Sequence, residues 1–278
     1  LVAKFGKALV DEGMRDQLQH GAQSLTQLLD SRTIPQPMTM RLAAVALLAT
    51  LVAPLAAQQP AAVTLIITNG IVITVDGTRR VLSPGAVAIN GNAIVAVDTP
   101  AAVAAKYKAA QTIDASGKVV MPGLINTHTH AAMVMFRGLG NDLNLMDWLQ
   151  KYIFPAEAKT VSPEFVRTGT RLAALEMIQS GTTTFADMYY FEEEVGRVAK
   201  AAGLRTLAGQ TVIEFPVADA KTPADALKRT EAFAKEFAND ELVTPTLAPH
   251  SVYTLDATTL AATRDLAKRL NIPIQIHL

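Results

Sequence analysis

Residues 122–140 read PGLINTHTHAAMVMFRGLG, and two of the chain's five histidines, His128 and His130, stand there one residue apart. Neutral imidazole is the commonest protein ligand for a divalent metal. On a β-strand alternate side chains share a face, so the two rings point the same way, ~6.6 Å apart along the strand. An isolated HxH is more often two polar residues on a wet strand face. Here the preceding VVMPGLIN reads as a buried strand, and a buried imidazole pair needs partners. Two more histidines occupy equivalent places, His250 after TLAP and His277 after IQI. The fifth, His20, falls in a leader-like region. All four others therefore sit at the C-terminal ends of predicted strands, and packing alone would not sort them so. The pattern points to a divalent metal site with His128 and His130 as its first two ligands.

The elements that must carry these residues are legible from punctuation and periodicity. After Val119 strands and helices alternate. The strands are KVVMPGLINTHTH, TTTFADMYY, LRTLAGQTVI, LVTPTLAPHSVY and IPIQIHL. Ser162-Pro163 opens the first helix, which stops at Gly181. EEEVGRVAKAA is closed by Gly203. Thr222, Pro223 and Asp225 begin a third helix to about Ala238, and Asp256 caps a fourth ending near Asn271. Strict alternation implies a parallel sheet, best fitted by an α/β, (β/α)₈ TIM-type barrel, with a doubly wound sheet as the alternative. Only five of eight strands are present, so the chain reads as a fragment of a longer protein. Residues 58–118 are β-rich, with hairpins predicted at Asn69-Gly70 and Asn90-Gly91 and a short helix over AAVAAKYKAA. They form the N-terminal part of a small β-sandwich ahead of an incomplete barrel over 119–278.

Residues 38–57 have the signature of a secretory signal peptide: a basic residue, the apolar run Leu42–Ala57, then QQPAA. The run is too short to span a membrane, and Pro54 interrupts it. Residues 1–37 before it read as a doubtful N-terminal extension, with translation starting at Met38 or Met40. The expected location is periplasmic or secreted if this signal is used, and cytoplasmic otherwise. Formal net charge is zero with 18% charged residues, which excludes a basic nucleic-acid surface. The absence of cysteine removes disulfides, thiolate metal sites and cysteine nucleophiles. No glycine-rich phosphate loop supports a nucleotide-binding domain. Homo-oligomerisation is left open.

Taken together, PGLINTHTH, RGLGNDLNLMDWL, GTTTFADMYY, APHSVYT and IQIHL resemble the amidohydrolase superfamily over about residues 62–278. They are most similar to its S-adenosylhomocysteine/methylthioadenosine deaminase and triazine hydrolase branch. The resemblance implies that His128, His130 and His277 bind metal and that His250, Trp148 and Glu157 contact substrate. It assigns no role to Asp187. It implies one divalent ion, zinc ahead of iron(II), and hydrolysis of non-peptide carbon–nitrogen bonds in a small heterocycle, above all deamination of a purine nucleoside-like substrate. Imides, cyclic amides or dipeptides are the alternative substrates. The family pattern also has a glutamate three residues beyond the fifth-strand histidine, a later histidine and a later aspartate. The sequence ends at Leu278 before any of them, so no catalytic acid or base is assigned within the chain, and a fragment ending there would be inactive by itself. A reading of another class is therefore a non-catalytic metal-binding fragment.

Overall fold

The computed structural model describes residues 59–278; the extension read over 1–37 and the signal peptide read over 38–57 lie outside the described residues. The described residues divide into two compact units, residues 59–69 with Pro84–Ser116, and Gly70–Ser83 with Gly117–Leu278. None of their helices is long and apolar enough to cross a membrane.

The N-terminal sheet comprises β1 (Ala61–Ile73), β2 (Val81–Asn90), β3 (Ala93–Asp98), β4 (Tyr107–Asp114) and β5 (Val119–Val120), ordered β3-β2-β1-β4 with β5 also on β1. The hairpin predicted at Asn90-Gly91 forms, with Asn90 opposite Ala93 and Gly91 at φ +60°. The one predicted at Asn69-Gly70 does not. β1 runs through it, paired in parallel with β4 as far as Thr68 and with β5 from Ile71. Asn69 adopts φ 64°, and its amide donates to Asp114 Oδ1 at 3.1 Å. The Asn-Gly step thus changes the strand's partner and leaves its direction unchanged. AAVAAKYKAA is also not one helix. Only α1 (Pro100–Ala104) is helical, capped by Thr99, and Tyr107 pairs with Ala61 as the start of β4. Val63, Ile66, Ala86, Ala88 and Val103 make the core beneath.

In the second unit a parallel sheet runs β6 (Leu124–Thr129), β7 (Thr182–Tyr189), β8 (Arg205–Val212), β9 (Val243–Pro249) in spatial order. Between β6 and β7 lie a 3₁₀ turn over Ala131–Phe136, α2 (Leu145–Trp148), a π-helical turn over Leu149–Ile153, α3 (Phe154–Thr160) and α4 (Pro163–Ser180). The return helices after β7, β8 and β9 are α5 (Glu192–Ala202), α6 (Pro223–Glu236) and α7 (Ala257–Leu270). The predicted punctuation is seen directly. Ser162, Thr222 and Asp256 accept the N–H groups of Phe165, Asp225 and Thr259, while Gly181, Gly203 and Asn271 end helices at positive φ. Phe185, Val195 and Val166 fill one side of the sheet core, and Val212, Leu247 and Leu266 fill the other end.

Two strand expectations need correction. VVMPGLIN is not buried: Leu124 and Ile125 are 50% and 66% exposed, because β6 lies at the sheet's edge with β7 as its one partner in this sheet. IPIQIHL follows β9 in parallel but makes only isolated bridges, Leu247↔Ile274 and Ser251↔His277. Its backbone bonds alternate, Leu247 N–H to Pro273 O at 3.0 Å and His277 N–H to His250 O at 3.2 Å. Four parallel strands in sequence order, each followed by helix, are the arrangement of a (β/α) barrel wall.

Candidate metal centre

β6 ends on the histidines. His128 is its penultimate residue and His130 follows it, so both emerge at the C-terminal edge of the sheet. His277 reaches the same edge from the segment beside β9. One ligating nitrogen from each of the three lies within 4.8 Å of the other two. His128 Nε2 is 3.4 Å from His130 Nε2 and 3.2 Å from His277 Nε2.

The protons on two rings follow from their neighbours. His130 Nδ1 lies 2.5 Å from the Met188 carbonyl, and His277 Nδ1 lies 2.9 Å from the His250 carbonyl. A carbonyl only accepts, so each Nδ1 carries the proton and each Nε2 turns a lone pair inward. A single N–H on His128 could satisfy only one of these contacts. A cation satisfies all three rings at once. Metal–nitrogen bonds of about 2.0–2.1 Å at tetrahedral angles separate ligand nitrogens by about 3.3–3.4 Å, within about 0.1 Å of the 3.2 and 3.4 Å seen. Burial, then repulsion from the other two rings, lowers the pKa of His130 to about 4 against the opposing pull of the Met188 carbonyl. Burial likewise lowers that of His277. Neutral imidazole is the form that ligates. The donor set therefore fits one divalent ion.

His250 stands beside this cluster but outside it. Its ring centre is 5.0 Å from that of His277, its Nδ1 faces Thr254 Oγ1 at 3.0 Å, and burial followed by the charge of His277 pushes its pKa down to about 4. Trp148 shares a cavity of ≈ 450 Å³ with His128, His130, Met133, Phe136 and Ile153. Its indole N–H is committed to the Leu139 carbonyl at 3.1 Å, which leaves the apolar ring to face the cavity. The segment carrying Trp148 and Glu157 is helical, in α2 and α3. Glu157 is buried, held by the Tyr189 hydroxyl at 2.8 Å and the Tyr190 hydroxyl at 3.4 Å. Burial outweighs these bonds and raises its pKa to about 7.

Sequence reasoning missed the supports. Tyr189 and Tyr190 were legible only as strand residues, although alternation already put one of them on the barrel face. Asp187, left without a role, is fully buried, and its Oδ1 accepts the Ala131 N–H at 2.6 Å, directly after His130. Glu192 is also fully buried, and neither of its carboxylate oxygens nor Asp187 Oδ2 has a hydrogen-bond partner among the described residues; burial and then the Asp187 charge raise its pKa.

A parallel strand–helix sheet with three convergent imidazoles at the strands' C-terminal edge defines a metal-binding barrel protein of the kind that hosts hydrolytic sites. More particularly, the chain belongs to the amidohydrolase family, whose profile matches residues 119–278. It is 46% identical over 214 residues to a 5-methylthioadenosine/S-adenosylhomocysteine deaminase of Syntrophobacter fumaroxidans, covering 77% of this chain and 49% of the relative. A solved adenosine deaminase of Xanthomonas campestris with bound zinc is 36% identical, with a TM-score of 0.76 over 78% of this chain and 50% of that one. An atrazine chlorohydrolase of Arthrobacter aurescens complexed with zinc shares the fold at 22% identity, with a TM-score of 0.68 over 77% of this chain and 53% of that one. The chain spans about half the length of the curated relatives it matches.

Proposed function

We propose that this chain holds one divalent ion, zinc ahead of iron(II), on His128, His130 and His277, and serves a hydrolase that removes an amino group from a purine-like heterocycle. The observation that carries the reading is the convergence of three Nε2 atoms while two of the rings donate Nδ1–H to main-chain carbonyls. The relative named as a methylthioadenosine/S-adenosylhomocysteine deaminase and the zinc-containing adenosine deaminase support the substrate class and the metal. An ion held there supplies a water acidified from ~15.7 to about 7. The chain's own residues do the rest of the work described. The Met188 and His250 carbonyls lock two ligand rings with their lone pairs inward. Trp148 offers an apolar ring wall for a flat heterocycle. His250, neutral, presents an imidazole beside the cluster to a polar edge of the substrate. Glu157 has two of about four carboxylate acceptor positions taken by tyrosine hydroxyls, and the others are free for sugar hydroxyls.

The test combines zinc content with hydrolysis. The chain should hold about one zinc and a His128→Ala/His130→Ala variant should hold none; in a protein of the relatives' full length, zinc-dependent hydrolysis should be faster for 5′-methylthioadenosine, read as ammonia release, than for a cyclic amide, read as ring opening. A folded chain without zinc would end the metal reading; zinc with hydrolysis only of the cyclic amide would end the deaminase reading.

A further inference from the structure

The two arms of the histidine cluster come from distant parts of the sheet, and a short polar bracket joins them just below the site. Gln275, two residues before His277, donates through Nε2 to the main-chain carbonyl of Asp187 at 2.5 Å and to Thr246 Oγ1 at 2.8 Å. Asp187 in turn accepts the N–H of Ala131, the residue after His130. The next carbonyl on the same strand, that of Met188, holds the His130 ring. Asp187 and Met188 on β7 therefore touch both arms: the HxH arm through a carboxylate and a carbonyl, the His277 arm through Gln275.

The amide of Gln275 must cross β8 to do this, since β8 lies between β7 and β9. It crosses at Gly209, which pairs with Met188 on one side and Thr246 on the other. A Cβ at 209 would overlap Gln275 Nε2 and lie 2.8 Å from Ala248 Cβ. Gly209 has no positive φ, so space and not backbone freedom is what the position needs. A glycine, a buried threonine 1% exposed and a buried aspartate 0% exposed are thus arranged around one amide group.

We propose that Gln275 and Asp187 are positioning residues that set the separation between the His128/His130 arm and the His277 arm, with Gly209 as the opening through which they connect. This rests on the metal reading above. Neither side chain is among the three convergent imidazoles. Each acts through the backbone or neighbour of a ligand, as supports of metal ligands do, where loss of one weakens binding by about 10–100-fold.

The experiment measures Zn²⁺ affinity of the full chain by competition with a chromophoric chelator, and the visible spectrum of its Co²⁺ form as a report on ligand geometry. Variants are Gln275→Met, Asp187→Ala, Asp187→Asn and His130→Ala, each with its folding checked by circular dichroism without metal. Gln275→Met keeps the volume and removes both donors. Asp187→Asn keeps the side-chain oxygen that accepts from Ala131 and changes only the atom that has no partner in the native chain, so it is the rescuing substitution. The expected result is a ten-fold or greater loss of affinity and an altered Co²⁺ spectrum in Gln275→Met and Asp187→Ala, with Asp187→Asn within about three-fold of the native chain. Native affinity and spectrum in folded Gln275→Met or Asp187→Ala would overturn the inference while leaving the metal reading intact. So would an Asp187→Asn protein as weak as Asp187→Ala. A native chain that binds Zn²⁺ no better than His130→Ala removes both together.

Discussion

Glu157 is the residue at which burial and function pull hardest against each other. Its carboxyl is 6% exposed and faces two tyrosine hydroxyls, and no cation pairs with it among the described residues. Burial raises its pKa from 4.5 to about 7. Tyr189 and Tyr190 are pushed upward as well, so they stay neutral wherever Glu157 titrates. The sign follows directly. Below pH 4.5 the group is protonated in both folded and unfolded chains and contributes its full stability. As pH rises toward 7 the unfolded chain releases the proton first, and the folded chain loses stability, on the order of 3 kcal/mol by pH 8. Glu157→Gln, which stays neutral, should flatten that part of the stability profile and stabilise the chain at pH 8. Urea unfolding midpoints at pH 5, 6, 7 and 8 test it. A native and a variant profile of equal slope would mean that the carboxylate is ionised and solvated throughout. A substrate sugar hydroxyl at this position would add a donor to the ionised form, so the stabilising substitution should also be the one that weakens substrate.

At the scale of elements, the turn that follows His130 is held by the helix beneath it. α4 packs flush against the 3₁₀ turn Ala131–Phe136, and Gly169 is where they meet: a Cβ there would overlap the Ala132 carbonyl and stand 2.9 Å from its Cα. Because the obstacle is backbone, it cannot rotate away. Gly169→Ala should cost about 1–3 kcal/mol, read as a lower urea midpoint, and should displace the ligand His130 enough to lower zinc affinity. A variant as stable as the native chain would show that the turn is free to move. Nothing in residues 131–136 announces this contact in the sequence. The elements that were legible are those whose signals are local: Ser162-Pro163, Thr222-Pro223 and Asp256 cap with their own hydroxyl or carboxylate three residues on, and Gly181 and Gly203 end helices by their own φ. Those that misled depend on distant partners. Asn69-Gly70 is a good hairpin pair, but Asp114 and β4 keep the strand straight. VVMPGLIN has the apolar content of one central strand, but Val119–Val120 pair with β1 in the other sheet and Leu124 onward forms the edge strand β6. The shared edge of His128 and His130 was legible because period two is a property of the strand itself; Gly209 was not, because its reason is a side chain sixty-odd residues away.

At the scale of the molecule, the cluster ties together residues 149 apart in sequence, His128 on the first strand of the parallel sheet and His277 beyond the last. The sheet must be curved for them to meet, and the cluster brings three imidazole nitrogens within 4.8 Å of one another. A metal held on these three rings would act as a staple across the mouth of the barrel wall, joining chain segments 149 residues apart in the folded state. An ion that binds the folded chain and not the unfolded one adds about 2.7 kcal/mol at one hundred times its Kd. Zinc should accordingly raise the unfolding midpoint of the native chain and leave the His128→Ala/His130→Ala variant unmoved. The informative measurement is where the protection falls. If the four strands open as one unit, hydrogen exchange should slow by a similar factor in β7 and β8, which contribute no ligand, as at the edges. If exchange slows only beside His128, His130 and His277, the ion stabilises the mouth alone, and the strands between open independently of it.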